Sequence, residues 1–102
     1  MVDLKPEYLD ALKKILKEYG PDYEVWIFGS RVTGKASVNS DIDLVLIGKT
    51  PIDWRKIEEI KEALSESDIP FMADVLDWHC ISPEFQKNIH ARYEVLQKPS
   101  LK

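Results

Sequence analysis

The segment FGSRVTGKASVNSDIDLVL, residues 28–46, most constrains the fold, because it places two charged residues at the start of an apolar run. Asp41 and Asp43 open the hydrophobic stretch DIDLVLI. Side chains two residues apart on a strand point to the same face, so the two carboxylates project together. Like charges beside a core are costly unless a cation neutralises them. The pattern therefore predicts a divalent metal site, and the preceding Gly29-Ser30 turn suggests a bound phosphate.

Length, charge and cysteine content restrict the class of protein. A chain of 102 residues predicts one domain, spanning 1–102. The net charge of -4 argues against nonspecific nucleic-acid binding, although it leaves room for a nucleotide that arrives with its own magnesium. The only cysteine, Cys80, has no internal disulfide partner, which fits a reducing cytoplasm. We expect no membrane contact, because no signal peptide or membrane-length apolar run is visible.

Periodicity and capping residues predict the order helix, strand, strand, helix, strand, helix, with a short final strand. We expect an α+β fold with a small mixed β-sheet and helices packed mainly on one face. Whether the first two strands pair parallel or antiparallel stays open at this level. The predicted segments are a helix from Pro6 to Tyr19, strands 23–28 and 41–47 separated by a turn or short helix after Gly29 and a polar loop at 35–39, a helix capped by Asp53, a strand at 70–78, a helix capped by Ser82, and a strand at 93–96.

A third carboxylate would complete a metal site and help to activate an attacking hydroxyl. The segment FMADVLDW offers Asp74 and Asp77, which point to opposite faces of an ideal strand. Asp74 has hydrophobic residues on both sides, where an unpaired charge gains little. We therefore choose Asp74 as the functional residue and give Asp77 a capping or surface role.

The turn before the aspartates carries groups suited to phosphate. Gly29 permits close backbone approach, and Ser30 adds a hydroxyl near exposed amides. Arg31 has a guanidinium that matches phosphate oxygens, although a surface salt bridge explains this residue about as well. Gly34 would let the loop turn back, and Ser40 would support the metal site by bonding nearby backbone.

The pattern Gly29-Ser30, ten residues, then Asp41-Ile42-Asp43 resembles the signature of the DNA polymerase β-like nucleotidyltransferase superfamily. The surrounding sequence is similar to its minimal nucleotidyltransferases, small relatives of the catalytic domain of kanamycin nucleotidyltransferase. The resemblance implies a nucleotidyltransferase fold and a magnesium-dependent transfer of a nucleoside monophosphate, here AMP from ATP, to a hydroxyl. It also implies the following roles: triphosphate binding by Gly29 and Ser30, and binding of Mg²⁺, as two ions, by Asp41, Asp43 and Asp74.

The same resemblance implies a partner. Minimal nucleotidyltransferases commonly pair with a helical HEPN-domain protein, and in several pairs the nucleotidyltransferase is an antitoxin that adenylylates a tyrosine of the toxin. A chain this short leaves little mass for an acceptor pocket of its own. The alternative is a binding module that neutralises a HEPN partner by occlusion and keeps an idle or regulatory nucleotide site.

Simpler interpretations apply to the remaining conspicuous residues. Trp26, Trp54 and Trp78 are expected to be core or partly buried aromatics; an exposed Trp54 would indicate a partner interface. His79, Cys80 and His90 have no metal-ligand spacing and are expected to serve surface or packing roles. An isolated pair of aspartates could be only a turn cap, but the glycine-serine turn and the third aspartate favour a functional site.

Overall fold

The computed structural model describes residues 2–34 and 41–100. The predicted loop at 35–39 and the supporting role of Ser40 fall outside these residues. No helix within the described ranges is long and apolar enough to cross a membrane. The elements are α1 (Pro6–Tyr19), β1 (Glu24–Phe28), α2 (Ser30–Thr33), β2 (Ile42–Ile47), α3 (Trp54–Ser65), β3 (Ala73–Asp77), a 3₁₀ turn (Trp78–Cys80), α4 (Pro83–Ala91) and β4 (Tyr93–Gln97).

The helix boundaries follow from local chemistry. Pro6 starts α1, where its missing N–H costs nothing, and the helix ends at Gly20. The Asp53 carboxylate accepts a hydrogen bond from the backbone N–H of Arg55 at 2.9 Å and caps α3. The Ser82 hydroxyl accepts one from the N–H of Phe85 at 3.1 Å and caps α4. Both predicted caps are confirmed.

The four strands form one mixed sheet in the order β3-β2-β1-β4. β1 is antiparallel to both β2 and β4, while β2 and β3 are parallel and are connected through α3. The predicted mixed sheet is confirmed, and the structure settles the pairing direction of the first two strands as antiparallel. β3 is shorter than predicted, because its chain turns into the 3₁₀ segment at Trp78.

The main core lies between one face of the sheet and the helices α1 and α3. β2 is the most deeply buried strand, with four of its six residues buried. The apolar residues of this core are Leu12 and Leu16 of α1, Val25 and Ile27 of β1, Ile42, Leu44 and Leu46 of β2, Ile60 and Leu64 of α3, and Ile69, Val75 and Leu96. The two long helices thus share one face, as the sequence predicts.

The opposite face of the sheet carries aromatic residues and α4. Trp26 stacks on Tyr93 with ring centroids 3.9 Å apart and meets Trp78 edge to face at 5.3 Å. Phe28 meets Phe85 of α4 edge to face at 6.0 Å. Trp26 and Trp78 are therefore partly buried aromatics, as expected. The expectation for Trp54 is wrong: its side chain at the start of α3 is 68% exposed, because the apolar stripe that packs on the core begins one turn later.

Candidate active site

Two carboxylates lie side by side on the face of the sheet that faces α4. Asp43 of β2 is in parallel register with Asp74 of β3, and it is paired on its other side with Phe28 of β1. Residues in register on neighbouring strands point to the same face and lie about 4.8 Å apart. Asp41 precedes Asp43 by two residues, immediately before β2 begins. The strand pairing thus brings the predicted third carboxylate beside the first pair.

Electrostatics link all three carboxylates. Partial burial raises the pKa of Asp43 above its ordinary value of 3.8, and the negative charges of Asp74 and then Asp41 raise it further. Asp41 and Asp74 are exposed, whereas Asp43 is half-buried. An ionised Asp43 is therefore unfavourable in the protein alone, and a cation beside it would relieve that cost.

Gly29 fits against the carboxylate of Asp43. Its backbone has φ 80° and ψ -154°, a conformation that only glycine adopts readily. A Cβ atom at this position would collide with Oδ2 of Asp43. The carbonyl oxygen of Gly29 accepts hydrogen bonds from the N–H groups of Val32 and Thr33, so α2 begins directly after it. Glycine is thus required here both for its dihedral angles and for the space taken by the aspartate.

The donor set fits a hard divalent cation. Carboxylate oxygens are the ligands that Mg²⁺ prefers, and this ion usually binds through one or two carboxylates, several waters and substrate phosphates. Across residues 2–34 and 41–100, no group of three His, Cys, Asp or Glu side chains is arranged so that it could hold a metal ion. Asp41, Asp43 and Asp74 are the carboxylates that would hold one together with the phosphates of a nucleotide.

Comparison with known proteins places the chain in a family. Residues 10–100 match the family model described as "Polymerase beta, Nucleotidyltransferase". The chain belongs to this nucleotidyltransferase family. It is also 46% identical over 97 residues to a protein of Haemophilus influenzae named "Probable protein adenylyltransferase MntA", an alignment that covers 95% of this chain and 85% of that protein.

Solved structures share the fold of this nucleotidyltransferase. A toxin–antitoxin crystal structure with AMP-PNP superposes with a TM-score of 0.75 at 22% identity, covering 90% of this chain and 73% of that one. A structure of a tri-AMPylated HEPN toxin of Shewanella oneidensis in complex with its MNT antitoxin gives a TM-score of 0.72 at 18% identity, covering 95% and 74%. At these identities the likeness shows the fold alone.

Arg31 of this nucleotidyltransferase lies in the interior and not at the surface, where the simpler interpretation of the sequence put it. The side chain is only 5% exposed. One guanidinium nitrogen, Nη1, donates a hydrogen bond to the carbonyl oxygen of Asp3 at 3.0 Å, and the group lies 4.2 Å from the ring centroid of Phe71. Arg31 thus ties the N-terminal segment and the start of the β3 region to α2. A role in phosphate binding stays a prediction.

Asp77 has a structural role as a buried hydrogen-bond acceptor. It is buried, and its Oδ2 accepts a hydrogen bond from the N–H of Ile52 at 2.7 Å while Oδ1 accepts one from the N–H of His79 at 3.0 Å. It caps the 3₁₀ turn, in agreement with the predicted capping role, although it is buried rather than at the surface. The Cys80 thiol also donates to Oδ2, which raises the pKa of the cysteine.

Two aromatic residues border the carboxylates and were not recognised as site residues from the sequence. Phe28 is the register partner of Asp43, and Phe85 packs against Phe28 while remaining 37% exposed. Sequence reasoning assigned Phe85 to the apolar face of the last helix. The alternation of side chains along β1 could have indicated the position of Phe28. Val25 and Ile27 face the main core, so Phe28 must face the other side of the sheet.

Proposed function

We propose that this nucleotidyltransferase transfers AMP from ATP to a hydroxyl group on a protein, with Mg²⁺ as the cofactor. The observation that carries this proposal is the register of Asp43 with Asp74, next to a glycine where an added Cβ atom would collide with the Asp43 carboxylate. We assign Asp41, Asp43 and Asp74 to the metal ions, with Asp74 also on the acceptor side. Gly29 and Ser30 would bind the triphosphate.

The acceptor is proposed from relatives. A protein with 46% identity is named a probable protein adenylyltransferase. One structure of the same fold holds a toxin–antitoxin pair with AMP-PNP, and another holds an AMPylated HEPN toxin with an MNT antitoxin. We therefore propose that this chain acts as an antitoxin on a tyrosine of a HEPN partner in the cytoplasm.

The proposed reaction is an in-line displacement at the α-phosphorus. The tyrosine oxygen forms a bond to that phosphorus, the bond to the β-phosphate oxygen breaks, and pyrophosphate leaves. Asp74, exposed at the edge of the sheet, accepts the phenolic proton. Burial and the charges of Asp74 and Asp41 raise the pKa of Asp43, so a cation beside it would favour its ionised form, and the backbone at Gly29 would approach the phosphates. When bound, Mg²⁺ neutralises developing charge on the phosphate oxygens.

Labelled ATP, Mg²⁺ and the HEPN partner test this function. Wild type is expected to label the partner, and Asp43→Asn is expected to reduce labelling at least about 100-fold, since removal of one charge-stabilising group commonly costs that much. Asp10→Asn, an exposed carboxylate on α1, is the matched control and should label normally. Equal labelling by wild type and Asp43→Asn would exclude the proposed chemistry.

A second candidate function, neutralisation by occlusion, is favoured by the exposed Trp54. This residue lies at the start of α3 beside a groove that also includes Ile57 and Ile81. Exposed tryptophans next to grooves are common anchors of protein interfaces. Replacement of Asp41, Asp43 and Asp74 together by asparagine separates the two functions. Retained neutralisation of the partner by this variant, and its loss in Trp54→Ala, would favour occlusion over catalysis.

A further inference from the structure

The phenylalanine pair, Phe28 and Phe85, lies on the same face of the sheet as the carboxylates. One row of side chains crosses this face from Asp74 through Asp43 and Phe28 to Tyr93 of β4, each in register with the next. The ring of Phe28 therefore rises from the strand next to Asp43, about 4.8 Å away along the sheet. The row is acidic at Asp74 and Asp43 and aromatic from Phe28 onward, and Phe28 is the last residue of β1 before Gly29.

Phe85 stands over this row from the first turn of α4. Its ring meets that of Phe28 edge to face at 6.0 Å, and its backbone N–H is fixed by the Ser82 cap. A phenylalanine ring at a solvated cap remains 37% exposed, although Ile89, one helical turn further on, is buried. Packing against Phe28 thus leaves part of Phe85 open to solvent.

The two ends of the row differ in chemistry. Asp74 lies on the edge strand β3, where an acceptor can approach from outside the sheet. The phenylalanine pair lies on the opposite side of Asp43, in and above the strand that ends at Gly29 and Ser30. For the acceptor to approach from the β3 edge, the base of a nucleotide whose phosphates rest at this turn would lie on the aromatic side of Asp43.

We propose that the phenylalanine pair contacts the nucleobase of the bound nucleotide, with Phe85 providing the exposed ring. This inference rests on the proposed function, and it adds to that function a residue that holds the base in position. A flat aromatic base gains by stacking or edge contact with an aromatic side chain whatever its hydrogen-bonding groups. The pair therefore favours a purine or pyrimidine ring generally and sets its position relative to the carboxylates.

Binding measurements with and without the base test this inference. Titration calorimetry with Mg²⁺ would compare ATP with inorganic tripolyphosphate, which has the phosphates but no base. Phe85→Ala is expected to weaken ATP binding at least about fivefold and to leave tripolyphosphate binding unchanged, because only the aromatic contact is lost. Phe85→Leu, which keeps the apolar packing on Phe28, should behave like the alanine variant, and Phe85→Trp should bind ATP as wild type does.

Met72 provides a matched control. It precedes Asp74 by two residues and is 77% exposed, so it is an apolar side chain on the acceptor side of the carboxylates. Met72→Ala should leave the affinity for ATP unchanged. Unchanged ATP affinity in Phe85→Ala, or an equal loss for ATP and tripolyphosphate, would overturn the base contact. An increase only in the KM for the acceptor protein would also overturn it and assign the ring to the acceptor. Failure of wild type to bind either ligand would overturn the proposed function itself.

Discussion

Gly29, the residue directly after β1, lies against Asp43 of β2. Only glycine leaves room for the carboxylate, and the carboxylate is held close to the backbone that we propose binds phosphate. Burial and the charges of Asp74 and Asp41 raise the pKa of Asp43, so its ionised form is held there at a cost. Residues at functional sites often sacrifice stability in this way.

Gly29→Ala should disturb both the backbone and the site. The methyl group collides with the Asp43 carboxylate, and φ 80° is unfavourable for alanine, so we expect a loss of about 1–3 kcal/mol in the free energy of unfolding. A displaced carboxylate should also lower AMP transfer by roughly 100-fold. Urea denaturation and the labelling assay measure the two effects.

Gly34→Ala is the control for backbone strain alone. Gly34 also has a positive φ, 81°, but among residues 2–34 and 41–100 an added Cβ atom meets nothing within 4 Å. We expect a stability loss of about 1–2 kcal/mol and near-normal AMP transfer. Equal loss of transfer in both variants would show that the contact with Asp43 is unimportant.

The raised pKa of Asp43 predicts a pH-dependent stability. The folded state binds this proton more tightly than the unfolded state, so the contribution of the group is fully favourable below pH 3.8 and is lost as the pH rises through the raised pKa. Without Mg²⁺, Asp43→Asn should therefore raise the Tm at pH 7, and the gain should shrink toward pH 4. Added Mg²⁺ should raise the Tm of wild type more than that of the variant.

Thermal melts of wild type, Asp43→Asn and the surface control Asp10→Asn across this pH range check the prediction. Asp10 lies exposed on α1 and does not contribute to the shift at Asp43. A constant difference between wild type and Asp43→Asn at all pH values would contradict the repulsion between the carboxylates.

At the level of elements, β3 separates two roles by strand alternation. Asp74 faces the side of α4, in register with Asp43, while Asp77 faces the main-core side and accepts the N–H groups of Ile52 and His79. The strand period of two predicts that these residues face opposite sides, and the hydrophobic neighbours of Asp74 were the reason to choose it as the functional one. Sequence reasoning could also place the caps Asp53 and Ser82, since these depend on neighbours within three residues.

Asp77→Ala should affect stability rather than chemistry. It leaves two backbone N–H groups without their acceptor, which should lower the free energy of unfolding by at least about 1–3 kcal/mol. The folded fraction should still transfer AMP. Asp74→Asn should show the reverse: no loss of stability beyond about 0.5 kcal/mol and no transfer. Denaturation curves and labelling of the partner distinguish the two, and matching defects would contradict separate roles.

Other features depend on contacts between distant segments and could not be read from local patterns. Arg31 is buried because Asp3 and Phe71, 28 and 40 positions away, converge on its guanidinium. The antiparallel pairing of β1 with β2 is a property of the whole sheet. The exposure of Trp54 depends on where α3 first touches the core. A periodic pattern gives the face of an element but not the partner that covers it.

In the whole molecule, one face of the sheet packs against α1 and α3, and the other face carries the three carboxylates beside the aromatic residues and α4. The apolar side chains of β2 that face α1 and α3 are fully buried, and the alternate residue Asp43 carries the proposed chemistry. The central strand therefore couples the core to the site. A substitution that disrupts the core on one face of β2 is therefore expected to displace the carboxylates on the other face.

Leu44→Ala tests this coupling. Leu44 is 0% exposed, and its truncation should cost about 2–5 kcal/mol, a large share of the stability of a small domain. We expect far-ultraviolet circular dichroism, tryptophan fluorescence and AMP transfer to be lost together in urea at a lower midpoint than in wild type. Separate transitions would indicate more than one cooperative unit and contradict a single domain.

The order of the strands has a consequence for how the site comes together. Gly29 and Asp43 meet in an antiparallel pair whose register partners lie close in sequence, whereas Asp74 arrives only after the chain has crossed over through α3. Contacts over longer loops carry a larger entropic cost of closure. The part of the proposed site that we assign to the nucleotide thus depends on more local contacts than Asp74, and we expect loosening of α3 to displace Asp74 before it affects the contact between Gly29 and Asp43.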